Sequence, residues 1–248
     1  MSQDYASVQG QASEPFLQSL HGQPPLESYG QTSWYVGNLE EANKTLLVAE
    51  AIVIAVSVKY GLFSERPKLA CYEDSWVALK YVVSHVNGDG PEPWFNDYVD
   101  FDRVFIGGDS AKGNIAHNLA VRVGTDGLPE VKLVRVIMVH PFFGGTADDQ
   151  MWLYMCPKNS GLNDPKMRPG KEYLARLGCE RMLIFVAEKD HLFVLGKRYY
   201  EGLKKSGWGG NVEIVVNLGE VHCFHLLDLK YEKAMDLIKK YVSFLIKE

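Results

Sequence analysis

The chain has 248 residues, of which 46% are hydrophobic and 23% charged, with a formal net charge of −5. This composition is typical of a globular protein with one large domain or two small ones, and the length is ample for a buried core. The acidic balance and the lack of a basic stripe argue against nucleic-acid binding. No apolar run reaches about 18 residues, which argues against a membrane span.

The first 38 residues differ in character from the rest of the chain. Residues 1–38 are rich in Ser, Gln, Gly and Pro, and we predict an irregular segment with a short strand near 34–36. Residues 1–14 are polar and lack the apolar core of a signal peptide. The four cysteines have no metal-ligand spacing. We therefore expect a cytoplasmic protein with reduced thiols and no metal site.

From residue 39 onwards, strand-like and helix-like segments alternate along the chain, and we predict one domain over 39–248. Its segment 144–171 is predicted to be an irregular, reduced lid over a binding site. The run 52–58 is apolar at both odd and even positions, which favours a strand covered on both faces, as in a parallel sheet. The alternation predicts an α/β fold with a mostly parallel sheet and helices on both faces. Helices are predicted at 40–51, 72–86, 111–123, 194–205 and 231–246, and strands at 52–58, 104–106, 134–139, 182–187 and 212–216.

The stretch 104–117 has the sequence form of a nucleophile elbow. An apolar run meets glycines and a serine, and a helix-compatible segment follows. Such a turn from strand to helix exposes the hydroxyl of a serine at its apex, here Ser110. Gly108 supplies the glycine expected two residues before the serine, whereas Lys112 replaces the one expected two residues after it. Taken alone, Gly-Asp-Ser is also an ordinary turn sequence.

Two further polar residues follow predicted strands at the same edge of the sheet as Ser110. Asp190 comes after the strand that ends at 187, and His222 comes after the strand that ends near 216. Ligands of parallel sheets bind at the carboxyl ends of the strands, and the order Ser, Asp, His is that of α/β-hydrolases. A serine needs a base, and a histidine base needs an acid to fix its tautomer. We predict a catalytic triad of Ser110, Asp190 and His222. Two alternatives are left open: Asp190 as a helix cap, and His225 as the base.

Several segments resemble the plant carboxylesterases of the hormone-sensitive-lipase-like group, which also includes gibberellin receptors and hydroxyisoflavanone dehydratases. The resemblance covers roughly 42–248. It implies an α/β-hydrolase fold and hydrolysis of small carboxylic esters through an acyl-serine, with Ser110 as nucleophile, Asp190 as acid and His222 as base. It implies a small-molecule ester as partner and no metal or organic cofactor. The matching segments are 72–76, 108–111, 187–190, 205–208 and 219–226.

The chain also departs from the pattern of that family. The His-Gly-Gly-Gly segment that forms most of the family's oxyanion hole has no counterpart near 26–30. The first strands are missing as well, and residues 31–37 would have to supply a neighbour for the strand at 104. We therefore expect an N-terminally shortened fold in which the N–H of Ala111 is the identifiable oxyanion donor, with Gly108 and Asp109 beside it in the oxyanion or substrate site. Lys112 is expected to be solvated and to weaken the elbow.

Two other functions remain open at the level of sequence. A chain without the Gly-rich segment fits a catalytically impaired protein that binds a small molecule, as the gibberellin receptors do. The same site also fits a lyase, as in the dehydratases. The presence of His222 favours the hydrolase, and the substrate and the oligomeric state are left open.

Overall fold

The computed structural model describes residues 33–34, 54–61, 70–145, 149–155, 161 and 163–246. The predicted helix at 40–51 lies outside these residues, as does most of the predicted irregular segment 1–38. The strands are β1 (Ser33–Trp34), β2 (Val56–Ser57), β3 (Val104–Asp109), β4 (Leu133–Val139), β5 (Arg181–Ala187) and β6 (Asn211–Asn217). The helices are α1 (Ala70–Val83), α2 (Pro93–Tyr98), α3 (Ala111–Asp126), α4 (Asp149–Met155), α5 (Lys171–Leu174), α6 (Phe193–Lys204) and α7 (Glu232–Ile246), with a 3₁₀ turn at Phe224–Leu226.

Strands β3 to β6 form one sheet in the order β3-β4-β5-β6, and each neighbouring pair is parallel. All four carboxyl ends therefore meet at one edge. The four corresponding strand predictions are confirmed, with ends that extend by one to three residues. Helices follow each strand in turn, which confirms the predicted α/β alternation.

The two faces of this sheet carry separate apolar cores, because side chains alternate between faces along a strand. One face packs against α1, α3 and α6, and the other packs against α7. Burying each large apolar side chain contributes roughly 1.5–3 kcal/mol, so the central strands are held from both sides. The first face comprises Val104, Ile106, Val136, Met138, Met182, Ile184 and Val186, and the second comprises Phe105, Ile137, Val139, Leu183 and Phe185.

Strand β2 is not the doubly covered parallel strand that the run 52–58 suggested. Among the described residues of this run, 54–58, Val56 and Ser57 are in a strand, and they pair antiparallel with β1. Val56 and Val58 are buried whereas Ser57 is exposed, so a single face is covered. The prediction was wrong because, among the described residues, the large apolar side chains at 54, 56 and 58 are buried, whereas the small side chains of Ala55 and Ser57 between them are exposed. Strand β1 also lies against β3. It thus occupies the position beside this strand that the sequence analysis assigned conditionally to residues 31–37.

Part of the segment 144–171 is helical rather than irregular, because Asp149–Met155 form α4. The Asp149 carboxylate accepts the Gly145 N–H at 2.8 Å and forms an ion pair with Arg168. Trp152 is buried, with its ring centroid 6.5 Å from that of Tyr72. Tertiary packing of a tryptophan stabilises a helix that is too short to be recognised from periodicity.

No helix in the described ranges is long and apolar enough to cross a membrane. Cys179 and Cys223 are free thiols, and Cys156 lies outside the described residues.

His117 of α3 gives the fold a pH-dependent stability. The side chain is fully buried, its Nδ1 is hydrogen-bonded to the Tyr199 hydroxyl at 2.9 Å, and burial lowers the pKa of His117 to about 3. Between that value and the unfolded pKa near 6.5, the unfolded chain binds a proton that the folded chain excludes. The stability that the neutral His117 contributes to the free energy of unfolding is therefore complete above pH ~6.5. It is lost as the pH is lowered towards 3, by about 1.4 kcal/mol per pH unit.

We expect His117→Phe to reduce this pH dependence. Urea unfolding of the variant between pH 6.5 and 4 should show a shallower loss of stability than the wild type, although the variant is less stable at pH 7 by about 1 kcal/mol, because the hydrogen bond to Tyr199 is lost. If the free energy of unfolding fell equally steeply with pH in the two proteins, His117 would not be the source of the pH dependence.

Candidate active site

Ser110 lies at the apex of a strained turn between β3 and α3. Its φ of 53° and ψ of −121° are sparsely populated by residues other than glycine. Backbone hydrogen bonds hold this conformation. The Ser110 N–H donates to the Val139 carbonyl at 2.9 Å, and the Ser110 carbonyl accepts the N–H groups of Gly113 at 3.0 Å and Phe142 at 2.9 Å. The structure thus forms the elbow that the sequence predicted.

Gly108 allows helix α3 to start close to the end of β3. A Cβ at this position would lie 2.5 Å from the Lys112 carbonyl carbon and 2.6 Å from its oxygen. Gly108 is buried, so the structure shows a packing role for it. Its predicted part in an oxyanion or substrate site stays a prediction.

Lys112 occupies the position where the elbow pattern calls for glycine. Its side chain is half-buried, so the expectation of a solvated lysine is wrong. Burial lowers the pKa of the Lys112 ammonium, and the nearby Asp109 carboxylate and Cys223 thiol oppose that shift. The Lys112 ammonium is therefore close enough to Asp109 and Cys223 to interact with them electrostatically.

The structure brings Ser110, His222 and Asp190 into one hydrogen-bonded chain. The Ser110 Oγ lies 3.0 Å from His222 Nε2, and the His222 Nδ1 lies 2.6 Å from Asp190 Oδ2. In the neutral tautomer protonated at Nδ1, the ring donates to Asp190 and accepts the serine proton at Nε2. Each of the three follows the carboxyl end of a different parallel strand.

The two carboxylate oxygen atoms of Asp190 have different partners. The helix-cap alternative is wrong, because Leu192 is the N-cap residue of α6. Oδ2 faces His222, and Oδ1 accepts the Leu192 N–H at 2.9 Å just before α6. His191 Nδ1 also lies 3.3 Å from Oδ1. The carboxylate is only 1% exposed, so these contacts replace the water that it would otherwise bind.

His225, the rival base, lies elsewhere in the site. Its Nε2 is 3.5 Å from the Asp109 carboxylate, whereas His222 holds the contact with Ser110. Asp109, which was predicted to border the oxyanion or substrate site, thus faces the segment that carries His222.

Ala111 begins helix α3 directly after Ser110. Its backbone N–H has no acceptor among the residues that the structure describes. The first N–H groups of a 16-residue helix lie at the positive end of its dipole. This geometry is compatible with the predicted oxyanion donor.

His140 is a site residue that the sequence analysis missed. It follows β4 at the same edge of the sheet, its φ is +48°, and it is 1% exposed. Its Nδ1 accepts the Cys223 N–H at 2.9 Å. Burial, followed by the neighbouring His225, lowers the pKa of His140 to about 4. The available signal was a histidine placed directly after a predicted strand, as Ser110, Asp190 and His222 are.

One group of side chains has metal-binding donors in proximity. One ligand atom from each of His140, His222 and Cys223 lies within 4.8 Å of the others. Both ring nitrogens of His222 and the Nδ1 of His140 are already hydrogen-bonded to other partners. These hydrogen bonds are sufficient to explain why His140, His222 and Cys223 lie close together.

A separate cavity of about 260 Å³ lies between the lid segment and α6. It is mostly apolar, with two arginines among its lining residues, and Ser110 and His222 are not among them. The residues that line it include Phe143, Met167, Arg168, Leu195, Arg198 and Tyr199.

Comparison with known proteins assigns the class of this chain. A family model described as an alpha/beta hydrolase fold matches residues 32–226, so the chain belongs to that family. It is 38% identical to the 2-hydroxyisoflavanone dehydratase of Glycyrrhiza echinata, over 84% of this chain and 70% of that protein. It is also 38% identical to the probable carboxylesterase 2 of Arabidopsis thaliana, over 96% of this chain and 78% of that protein. The resemblance to plant carboxylesterases is confirmed.

Solved structures confirm the fold at lower sequence identity. The hyperthermophilic esterase of the archaeon Pyrobaculum calidifontis superimposes with a TM-score of 0.63 at 22% identity, over 78% of this chain and 66% of that one. A fungal esterase of Rhizomucor miehei gives a TM-score of 0.62 at 20% identity, and the chain spans 64% of its length. The chain thus spans about two thirds of these esterases.

We expect Gly108→Ala to destabilise the protein by about 1–3 kcal/mol, because the added methyl group overlaps the Lys112 carbonyl and backbone atoms must shift. Gly209→Ala is the matched control, since a Cβ there meets no atom within 4 Å. Chemical denaturation measures both, and equal unfolding midpoints would show that the elbow tolerates a side chain at position 108.

We expect Lys112→Gly to retain turnover of a short-chain aryl ester to within about threefold. The ammonium lies near Asp109 and Cys223 and sits unfavourably at the positive end of the dipole of α3, by a few tenths to ~1 kcal/mol. Lys112→Met serves as control because it keeps the aliphatic stem. A loss of activity above about tenfold in both variants, with unchanged unfolding midpoints, would mean that the ammonium contacts the reacting group.

Proposed function

We propose that this chain hydrolyses small carboxylic esters through an acyl-serine intermediate. The observation that carries the proposal is the continuous hydrogen-bonded chain from Ser110 Oγ through His222 to Asp190, with distances of 3.0 and 2.6 Å. A serine hydroxyl is a weak nucleophile unless a base takes its proton as it attacks. The exposed apex of the elbow gives an ester carbonyl access to Oγ.

In the first half of the reaction, Ser110 Oγ attacks the ester carbonyl while its proton passes to His222 Nε2. The Asp190 carboxylate then stabilises the imidazolium through the Nδ1–H and fixes its orientation. The Ala111 N–H donates to the oxyanion of the tetrahedral intermediate, aided by the dipole of α3. His222 returns the proton to the departing alcohol oxygen, which leaves the acyl group on Ser110.

In the second half, His222 takes a proton from a water molecule, which attacks the acyl carbonyl. The tetrahedral intermediate collapses, the proton returns to Ser110 Oγ, and the carboxylic acid departs. Removing one oxyanion donor typically costs ~10²–10³ in rate. The turnover number therefore depends strongly on which groups join Ala111 in holding the oxyanion.

The relatives support this class of reaction and also supply the alternatives. One relative is named as a probable carboxylesterase and another as a 2-hydroxyisoflavanone dehydratase, each 38% identical to this chain. A dehydratase eliminates water, which needs a group that takes one proton and returns it to the leaving hydroxyl; His222, oriented by Asp190, would also supply that group. A lyase on the same site is therefore the second candidate, and a binding protein without turnover is the third.

We expect Ser110→Ala to lower kcat/KM for 4-nitrophenyl butyrate by about 10⁴-fold or more, with His222→Gln giving a loss of similar size, because the residues act as a unit. Ser84→Ala is the control, since Ser84 is exposed and its hydroxyl donates to the Tyr81 carbonyl of the preceding helical turn. Mass spectrometry of the quenched reaction should detect the acyl group on Ser110.

Each alternative predicts a different outcome of the same experiment. A Ser110→Ala variant with at least a third of wild-type activity would overturn the acyl-serine mechanism. Elimination of water from a β-hydroxy ketone that survives Ser110→Ala but not His222→Gln would favour the lyase. Binding of an ester without turnover by the wild type would favour the binding protein.

A further inference from the structure

The loop that carries His222 is bonded to a buried histidine at the end of β4, two strands away from β6. We propose that His140 is a positioning residue that accepts the Cys223 N–H and thereby holds His222 in line with Ser110. This inference rests on the proposed function, in which His222 is the base. His140 itself makes no contact with the reacting atoms in the mechanism above.

The hydrogen bond joins two strand ends that are distant in sequence. His140 Nδ1 lies 2.9 Å from the Cys223 nitrogen, and Cys223 is bonded directly to His222 along the chain. The His140 backbone N–H donates to the Phe185 carbonyl of β5 at 2.9 Å, which ties the residue to the centre of the sheet. The ring is 1% exposed, so it is a rigid anchor rather than a mobile contact.

Both ends of this hydrogen bond are in the left-handed region of backbone conformation. The φ angles are +48° for His140 and +50° for Cys223, and Ser110 has +53°. Such conformations cost on the order of 1–3 kcal/mol each and persist where surrounding contacts over-determine them. Of the four left-handed residues other than glycine in the described ranges, these three meet at the site. The bond between His140 and Cys223 is one of the contacts that hold this strain.

The anchor needs His140 to be neutral with its proton on Nε2, because only an unprotonated Nδ1 accepts a hydrogen bond. Burial and the neighbouring His225 and His222 rings disfavour the imidazolium, whereas the Asp190 carboxylate favours it. The balance lowers the pKa of His140 to about 4, so the acceptor is available at neutral pH.

Other contacts hold the same segment without replacing this one. The Asp109 carboxylate lies 3.5 Å from His225 Nε2, three residues after His222. That contact acts on a side chain, whereas His140 acts on the backbone at the residue next to His222. The backbone anchor therefore determines where the Cα of His222 lies, and a misplacement of about 1 Å near a reacting group can cost ~10²-fold in rate.

The test compares His140→Phe with His140→Asn. Phenylalanine keeps an aromatic ring but removes the acceptor, whereas the Asn Oδ1 lies where the His Nδ1 lies and asparagine tolerates the left-handed backbone. For 4-nitrophenyl butyrate we expect His140→Phe to lower kcat by about 10–100-fold with KM within about threefold, and His140→Asn to recover kcat to within about threefold of the wild type. His117→Phe is the control, because it removes another buried histidine without touching the His222 loop, and its kcat should be unchanged.

Two results would overturn the inference. One is a folded His140→Phe variant with a kcat within about twofold of the wild type, and the other is a folded His140→Asn variant as impaired as the phenylalanine variant. A ¹⁵N NMR measurement on the wild type gives a readout that needs no variant to fold and no activity. The inference requires the neutral Nε2–H tautomer of His140 at pH 7, and finding the Nδ1–H tautomer or the imidazolium would reject it. If the proposed function itself is wrong, the Ser110→Ala variant will keep its activity, which is a different result from the two above.

Discussion

The site depends on four parallel strands that are buried on both faces and end at one edge of the sheet. Apolar side chains on alternate positions pack against α1, α3 and α6 on one side and against α7 on the other. Because the core fixes each strand along its length, the residue that follows each strand has little positional freedom. Ser110, His140, Asp190 and the segment with His222 all lie just beyond such ends.

Strained backbone at this edge is stabilised by hydrogen bonds rather than by glycine. Ser110, His140 and Cys223 all have positive φ, and each takes part in a hydrogen bond that links it to another strand or strand end of the sheet. The bonds run from the elbow to the end of β4, from His140 to β5, and from His140 to the loop after β6. The three left-handed residues thus form one connected set, which explains why they occur together.

Electrostatics at the site follows from how each polar group is buried. The Asp190 carboxylate is nearly inaccessible, and it is compensated by the Leu192 N–H and by the imidazole of His222. His140 is also buried, but no carboxylate is bonded to it, and its pKa falls to about 4. In the proposed mechanism His222 takes up and returns the proton of the serine, whereas the buried His140 stays neutral.

The sequence by itself determined the alternation of strands and helices, the elbow around Ser110 and the order of Ser110, Asp190 and His222. These follow from local patterns, namely apolar runs, glycine beside serine, and the rule that polar residues after parallel strands meet at one edge. Tertiary structure decided the rest. In the tertiary structure, His222 rather than His225 contacts Ser110, and Asp190 has two partners. Helix α4 forms around the buried Trp152, and β2 pairs antiparallel. These outcomes depend on contacts between residues far apart in the chain, and His140 was missed because its partner, the Cys223 N–H, is 83 positions away.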